Sequence, residues 1–135
     1  MRREDALTVE ADENSARVYA DVCVRLGIKR APRLGRLNVA AIPHLRGAIR
    51  PTVVIGNADL DEQELIYVFS HELTHYRRGD ILVKWLLLLD LSVFWWNPLV
   101  RLLVRRTQEE MEFSCDERVL ASMEARQRHE YCAAI

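Results

Sequence analysis

The stretch Phe69-Ser70-His71-Glu72-Leu73-Thr74-His75-Tyr76 decides how this chain is to be read. It contains H-E-x-x-H, and the acidic and apolar residues before it read as a helix. Positions four apart on a helix differ by only ~40° around the axis, so His71 and His75 project from one face. Their imidazoles can converge on one point, with Glu72 close enough to hold a water molecule there. Two neutral imidazoles and an adjacent carboxylate are what a hydrolytic zinc site requires. H-E-x-x-H also arises by chance, so the remainder of the chain has to supply what the motif lacks.

Upstream, Asp61 followed by Glu64 is a capping-box pattern that starts this helix, and Gly79 should end it just after Arg78. Leu65, Val68, Phe69 and Leu73 give it a buried side. Before it, Thr52-Val53-Val54-Ile55 is the clearest β signal in the chain. Leu37 to Ala41 reads as a further short strand, after a turn over Ile28 to Arg36 containing Pro32 and Gly35. Pro43 and Gly47 interrupt the residues between these strands. An earlier helix, capped by Asn14 or Ser15, carries Tyr19, Val22, Cys23 and Leu26 at i, i+3, i+4, i+7 spacing and stops at Gly27. Met1 to Glu13 is polar and reads as frayed.

Downstream, Ile81 to Val104 is the most apolar part of the chain. A membrane span needs ~20 predominantly apolar residues, and each charge at its centre costs ~2.5–3.5 kcal/mol. Lys84, Asp90 and Arg101 interrupt this segment, and Asn97-Pro98 breaks it. The reading is two helices joined at Trp96-Asn97, with Asn97 as cap and Pro98 as first helical residue. The first helix is a core or membrane-surface element, and Trp85, Phe94, Trp95 and Trp96 suit an interface. The second runs to about Met123, with Leu99, Leu102, Leu103 and Val104 packing early and Val119 and Leu120 packing late.

The fold class is therefore α+β, mainly helical with a small antiparallel or mixed sheet beside the motif helix. Residues 1–14 read as a polar N-terminal extension and 15–135 as one domain, large enough at this length to bury a core. A net charge of −1 over 135 residues argues against nucleic acid as a partner. Cys23, Cys115 and Cys132 are odd in number and lack C-x-x-C spacing, which argues against a disulfide framework and a cysteine-ligated zinc ribbon. They read as small packing residues in a reducing compartment.

A hydrolytic zinc takes three protein ligands and keeps one position open. His44 and His129 are the other histidines, but the carboxylates of the last helix are better placed. Glu112 and Asp116 form E-x-x-x-D on one helical face. The glutamate could ligate, and the aspartate could accept the N–H of a ligand imidazole and fix its tautomer. Glu109, Glu110 and Glu117 read as a solvated face, and Asp80 as a cap for the next helix or a partner of Arg77 or Arg78.

H-E-x-x-H on one helix with E-x-x-x-D on a later one resembles the gluzincin metallopeptidases. The particular form resembles the BlaR/MecR-type zinc peptidase family, and more distantly the HtpX and CAAX-protease group. The matching residues are His71-Glu72-Leu73-Thr74-His75 with Arg77-Arg78-Gly79-Asp80, then Trp96-Asn97-Pro98-Leu99, then Glu112-Phe113-Ser114-Cys115-Asp116 with Val119-Leu120. Leu26-Gly27-Ile28 and Gly47-Ala48-Ile49-Arg50-Pro51 extend the likeness upstream.

The resemblance implies a minimal gluzincin-like fold with Zn2+ held by His71, His75 and Glu112. It also implies Glu72 as general base and Asp116 beside a ligand histidine. The expected partner is a protein or peptide substrate, paired with the strand at Thr52 to Ile55 or the one before it. Tyr131 and His129 are candidates to stabilise the oxyanion. Members of the resembled family carry transmembrane helices on both sides of this domain, and this chain holds neither. The expected location is the cytoplasmic side of a membrane, against its surface or the transmembrane helices of a longer parent, or the cytoplasm if the chain is complete. Two other readings are a soluble antirepressor peptidase of the ImmA type and a latent or non-catalytic zinc-binding module. Cys115-Asp116 and Trp96-Asn97-Pro98 count against the former.

Overall fold

Asp61 and Glu64 start the central helix as expected. The Asp61 carboxylate accepts from the Glu64 backbone N–H at 2.8 Å, and the Glu64 carboxylate accepts from the Asp61 N–H at 2.9 Å. In the computed structural model, which describes residues 8–9, 12–37, 39, 43–47, 49–56, 60–121, 123 and 128, this helix is the sixth of eight elements. In chain order they are β1 (Thr8–Val9), α1 (Glu13–Arg25), β2 (Arg33–Leu37), β3 (His44–Arg46), β4 (Thr52–Ile55), α2 (Glu62–Arg78), α3 (Asp80–Val93) and α4 (Pro98–Ala121). The fold is a small α+β domain, mainly helical, as read from the sequence.

The four strands form one mixed sheet in the order β1-β2-β4-β3. β2 runs parallel to β4, while β1 and β3 pair antiparallel with their neighbours. Thr8 and Val9, in the stretch read as frayed, pair with Leu37 and Arg36. β2 lies earlier than Leu37 to Ala41: its residues Arg33 to Arg36 align with Thr52 to Ile55, and Gly35 sits inside the strand. Pairing against the strongest β segment of the chain outweighs the local turn preference of Pro32 and Gly35. The cap of α1 also differs. Asp12, rather than Asn14 or Ser15, accepts from the Ser15 N–H at 3.1 Å and from its hydroxyl at 2.8 Å.

α2 serves three surroundings at once. Leu65, Phe69 and Leu73 pack with Val18, Tyr19, Val22 and Cys23 of α1 and Val53 and Ile55 of β4. Phe69 and Leu73 are fully buried, each worth roughly 1.5–3 kcal/mol by transfer from water. Tyr67, on another side, packs with Cys115 and Val119 of α4. Between these two cores the sector carrying Val68, His71, Glu72 and His75 opens on a cleft. Gly79 ends the helix with φ 75°, a left-handed conformation glycine adopts without penalty, and α3 begins at the next residue.

The break at Asn97-Pro98 falls where the sequence puts it. The Asn97 side-chain oxygen accepts from the Leu99 N–H at 2.9 Å, and Pro98 opens α4. Among the described residues no helix is long and apolar enough to cross a membrane. Most of the expected early packing of α4 is not found: Leu99, Leu102 and Leu103 are exposed, Val104 is half-buried, and the buried residues are Met111, Cys115 and Val119. The reason is length. At 1.5 Å per residue α4 extends about 36 Å, and only its later half returns to α2. α4 also packs on α3, whose Trp85, Leu86, Leu88 and Leu89 are exposed.

Candidate metal centre

His71 and His75 stand where their spacing puts them, one turn apart on α2. The Nε2 atoms of the two rings lie 3.1 Å apart. α4 brings Glu112 to the same point: its Oε2 is 3.0 Å from His75 Nε2 and 3.6 Å from His71 Nε2. Two helices thus bring three donor atoms together in a triangle with sides of 3.0 to 3.6 Å.

The other nitrogen of each ring is engaged by a carboxylate. His71 Nδ1 lies 3.0 Å from Asp116 Oδ1, and His75 Nδ1 lies 2.7 Å from Asp80 Oδ2. A neutral imidazole that donates from Nδ1 presents a lone pair at Nε2. Two such lone pairs and a carboxylate oxygen facing one another suit a cation between them. The separations fit one: bonds of ~2.0–2.2 Å to zinc in a tetrahedron set the donors about 3.3 Å apart.

Electrostatics support the same protonation states. Burial holds His71 below its ordinary value of 6.5, helped by His75 and opposed by Asp116 and Glu112. Burial pushes Glu112 up, but the combined pull of His75, Lys84 and His71 outweighs it, and the carboxyl ends below the usual range. Burial raises Glu72, partly countered by His75, by a backbone hydrogen bond from Leu45, and by Lys84 and His44. A raised carboxyl next to the donor triangle suits a group that must take a proton and release it.

A cleft of about 350 Å³ opens over the triangle. Pro43 with His44 and Leu45 of β3 forms one wall, and Asp80, Ile81 and Lys84 of α3 the other. Val68, His71, Glu72 and His75 make the floor, with Glu112 at the side. β4 is paired on both sides, and the strand beside the cleft is β3, the last in the described sheet, formed in the stretch read as interrupted by Pro43 and Gly47 rather than in Leu37 to Ala41. His44 lies on that strand with its side chain exposed, a wall residue rather than a member of the triangle.

Cys115 is fully buried under His71, as a small packing residue should be. It groups with His71 and His75 closely enough to share a metal ion. Its Sγ, however, lies 3.9 Å from His71 Nδ1, the nitrogen turned to Asp116, and donates to the His71 carbonyl at 3.5 Å. Burial pushes the thiol up to about 12. The Nε2, Nε2 and Oε2 set is the better donor group.

Of the residues singled out in the sequence, His71, Glu72, His75, Glu112 and Asp116 come together here. His129 and Tyr131 lie outside the described residues. The pairing of Asp80 with Arg78 stands as read, but sequence reasoning missed its hold on His75. α3 carries no side-chain cap, and Asp80 instead turns back, almost fully buried, to hold His75, with Arg78 Nε 3.4 Å from its other oxygen. The signal was a carboxylate five residues after a ligand-type histidine, just past a left-handed glycine that reverses the chain.

The sequence profile of the family described as BlaR1 peptidase M56 matches residues 3–135. The chain is 34% identical over 100 residues to the regulatory protein BlaR1 of Bacillus licheniformis, covering 73% of this chain and 17% of that protein. It is 29% identical over 83 residues to the methicillin resistance mecR1 protein of Staphylococcus aureus, covering 62% of this chain and 13% of that protein. The chain thus spans less than a fifth of the length of the curated relatives it matches. With a profile match from residue 3 to residue 135, this chain belongs to the BlaR1 peptidase M56 family.

Proposed function

We propose that this chain is the catalytic domain of a zinc-dependent endopeptidase of the regulatory type. The observation that carries this reading is the convergence of His71 Nε2, His75 Nε2 and Glu112 Oε2, with a carboxylate on each remaining imidazole nitrogen. These three side chains would hold the ion, while Asp116 and Asp80 fix the tautomers of the two rings. Bound there, zinc supplies a Lewis acid for the scissile carbonyl and lowers the pKa of water toward neutrality.

The chain's own residues do the rest. An extended protein or peptide segment lies across the cleft beside β3. Glu72, buried and raised in pKa, accepts the proton of the attacking water and delivers it to the departing amine. The regulatory assignment rests on the family and on relatives described as a regulatory protein and a methicillin resistance protein. The exposed apolar surface of α3 and α4 supports a place against a bilayer or the transmembrane helices of a longer parent, on its cytoplasmic side.

The test separates metal from chemistry. The purified chain is expected to hold one equivalent of zinc, which Glu112→Ala loses. Cleavage of casein, or autolysis, is expected to be sensitive to chelator and absent in Glu72→Gln, which keeps its zinc. Cleavage that survives in Glu72→Gln would sink the mechanism.

A further inference from the structure

The zinc reading gives no role to Lys84, a cation among the described residues of the cleft. Lys84 lies four residues after Asp80 and three before Leu87 on α3, so the three share one face of that helix. Leu87 is buried and anchors this face, and Asp80 grips His75. Lys84 Nζ stands 3.4 Å from Glu112 Oε1, and the other oxygen of that carboxylate faces the two histidines. The two oxygens are thereby sorted, one to the imidazoles and one to the ammonium.

Glu112 needs such a constraint. Its side chain is 48% exposed and projects from the long helix α4, whereas His71 and His75 are held in the floor of the domain. A long, half-exposed carboxylate has several rotamers, and it can also rotate to offer both oxygens to a metal. We propose that Lys84 is a positioning residue, holding Glu112 so that a single oxygen is presented to the histidine pair; this rests on the zinc reading above. A stripe along one face of α3 then steadies two of the three donors, His75 through Asp80 and Glu112 through Lys84.

Two effects oppose each other here. The ammonium repels a divalent cation, which would make its removal favourable to binding. Both Lys84 and Glu112 are nearly half exposed, so water screens that repulsion, while the orienting hydrogen bond is a contact effect that screening does not abolish. Orientation therefore wins.

The experiment is a chelator-competition titration of zinc on the 135-residue chain, beside Glu112→Ala, Lys84→Met and Lys84→Arg. Lys84→Met is expected to weaken zinc binding about tenfold, and Lys84→Arg to retain most of it. The visible spectrum of the cobalt-substituted Lys84→Met protein should lose intensity as the carboxylate shifts to two-oxygen coordination. The urea midpoint of the zinc-free Lys84→Met protein should hardly move, because an exposed ion pair contributes little to folding. Should the parent chain bind no zinc, or Glu112→Ala bind it as tightly as the parent, the zinc reading fails and this inference falls with it. Should the parent and Glu112→Ala behave as expected while Lys84→Met binds within twofold of the parent with an unchanged cobalt spectrum, the role of Lys84 alone is overturned.

Discussion

Replacing Asp80 by alanine should damage this protein more than the same change at Asp116, although each carboxylate holds one imidazole. The difference lies in access to water. The Asp80 side chain is 6% exposed and its contact with His75 Nδ1 is 2.7 Å, while the Asp116 side chain is 38% exposed at 3.0 Å from His71. With Asp80 gone, the His75 N–H is left buried without an acceptor, at a cost of ~1–3 kcal/mol. The Arg78 guanidinium also loses its carboxylate. With Asp116 gone, water can enter as acceptor and recovers most of the hydrogen bond.

Loss of a carboxylate behind a ligand histidine typically lowers metal affinity ~10–100-fold. Asp80→Ala belongs at the upper end of that range and Asp116→Ala at the lower end. Asp80→Asn keeps an accepting oxygen and should fall between Asp80→Ala and the parent. Zinc affinity by chelator competition and urea unfolding of the zinc-free proteins measure the two costs separately. If Asp80→Ala binds zinc within twofold of the parent, or Asp116→Ala proves the more harmful, Asp80 is not what orients His75.

Acid should weaken the zinc-free fold through His71. Its folded value is held below 6.5 by burial, so the unfolded chain takes up the proton first, and its contribution is complete above ~6.5 and lost as pH falls through the folded value. Glu72 has the opposite sign, because its raised carboxyl favours the folded state on protonation. Urea midpoints between pH 7.5 and pH 5 should therefore fall more steeply in Glu72→Gln than in the parent, and less steeply in His71→Gln; equal slopes in all three would refute both assignments. The exposed tip of the α3–α4 hairpin should bind lipid: flotation with vesicles is expected to decline in a Trp95→Ser, Trp96→Ser double variant with zinc content unchanged. An unaltered vesicle-bound fraction would remove the hairpin from that role.

The elements legible in the sequence are those set by local chemistry. The capping box at Asp61, the left-handed stop at Gly79 and the Asn97-Pro98 break each depend on a few neighbouring residues, and each stands as read. The facing of His71 and His75 is likewise a property of helical spacing alone. Where long-range pairing competes with local preference the sequence misleads. β2 begins at Arg33 because β4 lies beside it, and Pro32 and Gly35 do not prevent it.

By itself the sequence determined an α+β domain with two ligand-type histidines, an adjacent acid, and a later E-x-x-x-D helix on which Glu112 and Asp116 share a face. Only the tertiary structure decided that Glu112 Oε2 reaches both imidazoles, that Asp80 holds His75 rather than capping α3, and that β3 lies beside the cleft. The physical reason is the same in each case. Spacing along one helix fixes direction, but the separation between donors on α2 and α4 depends on how Met111, Cys115 and Val119 seat the later helix against the motif helix. That seating is a sum of contacts between residues distant in sequence, and no local pattern encodes it.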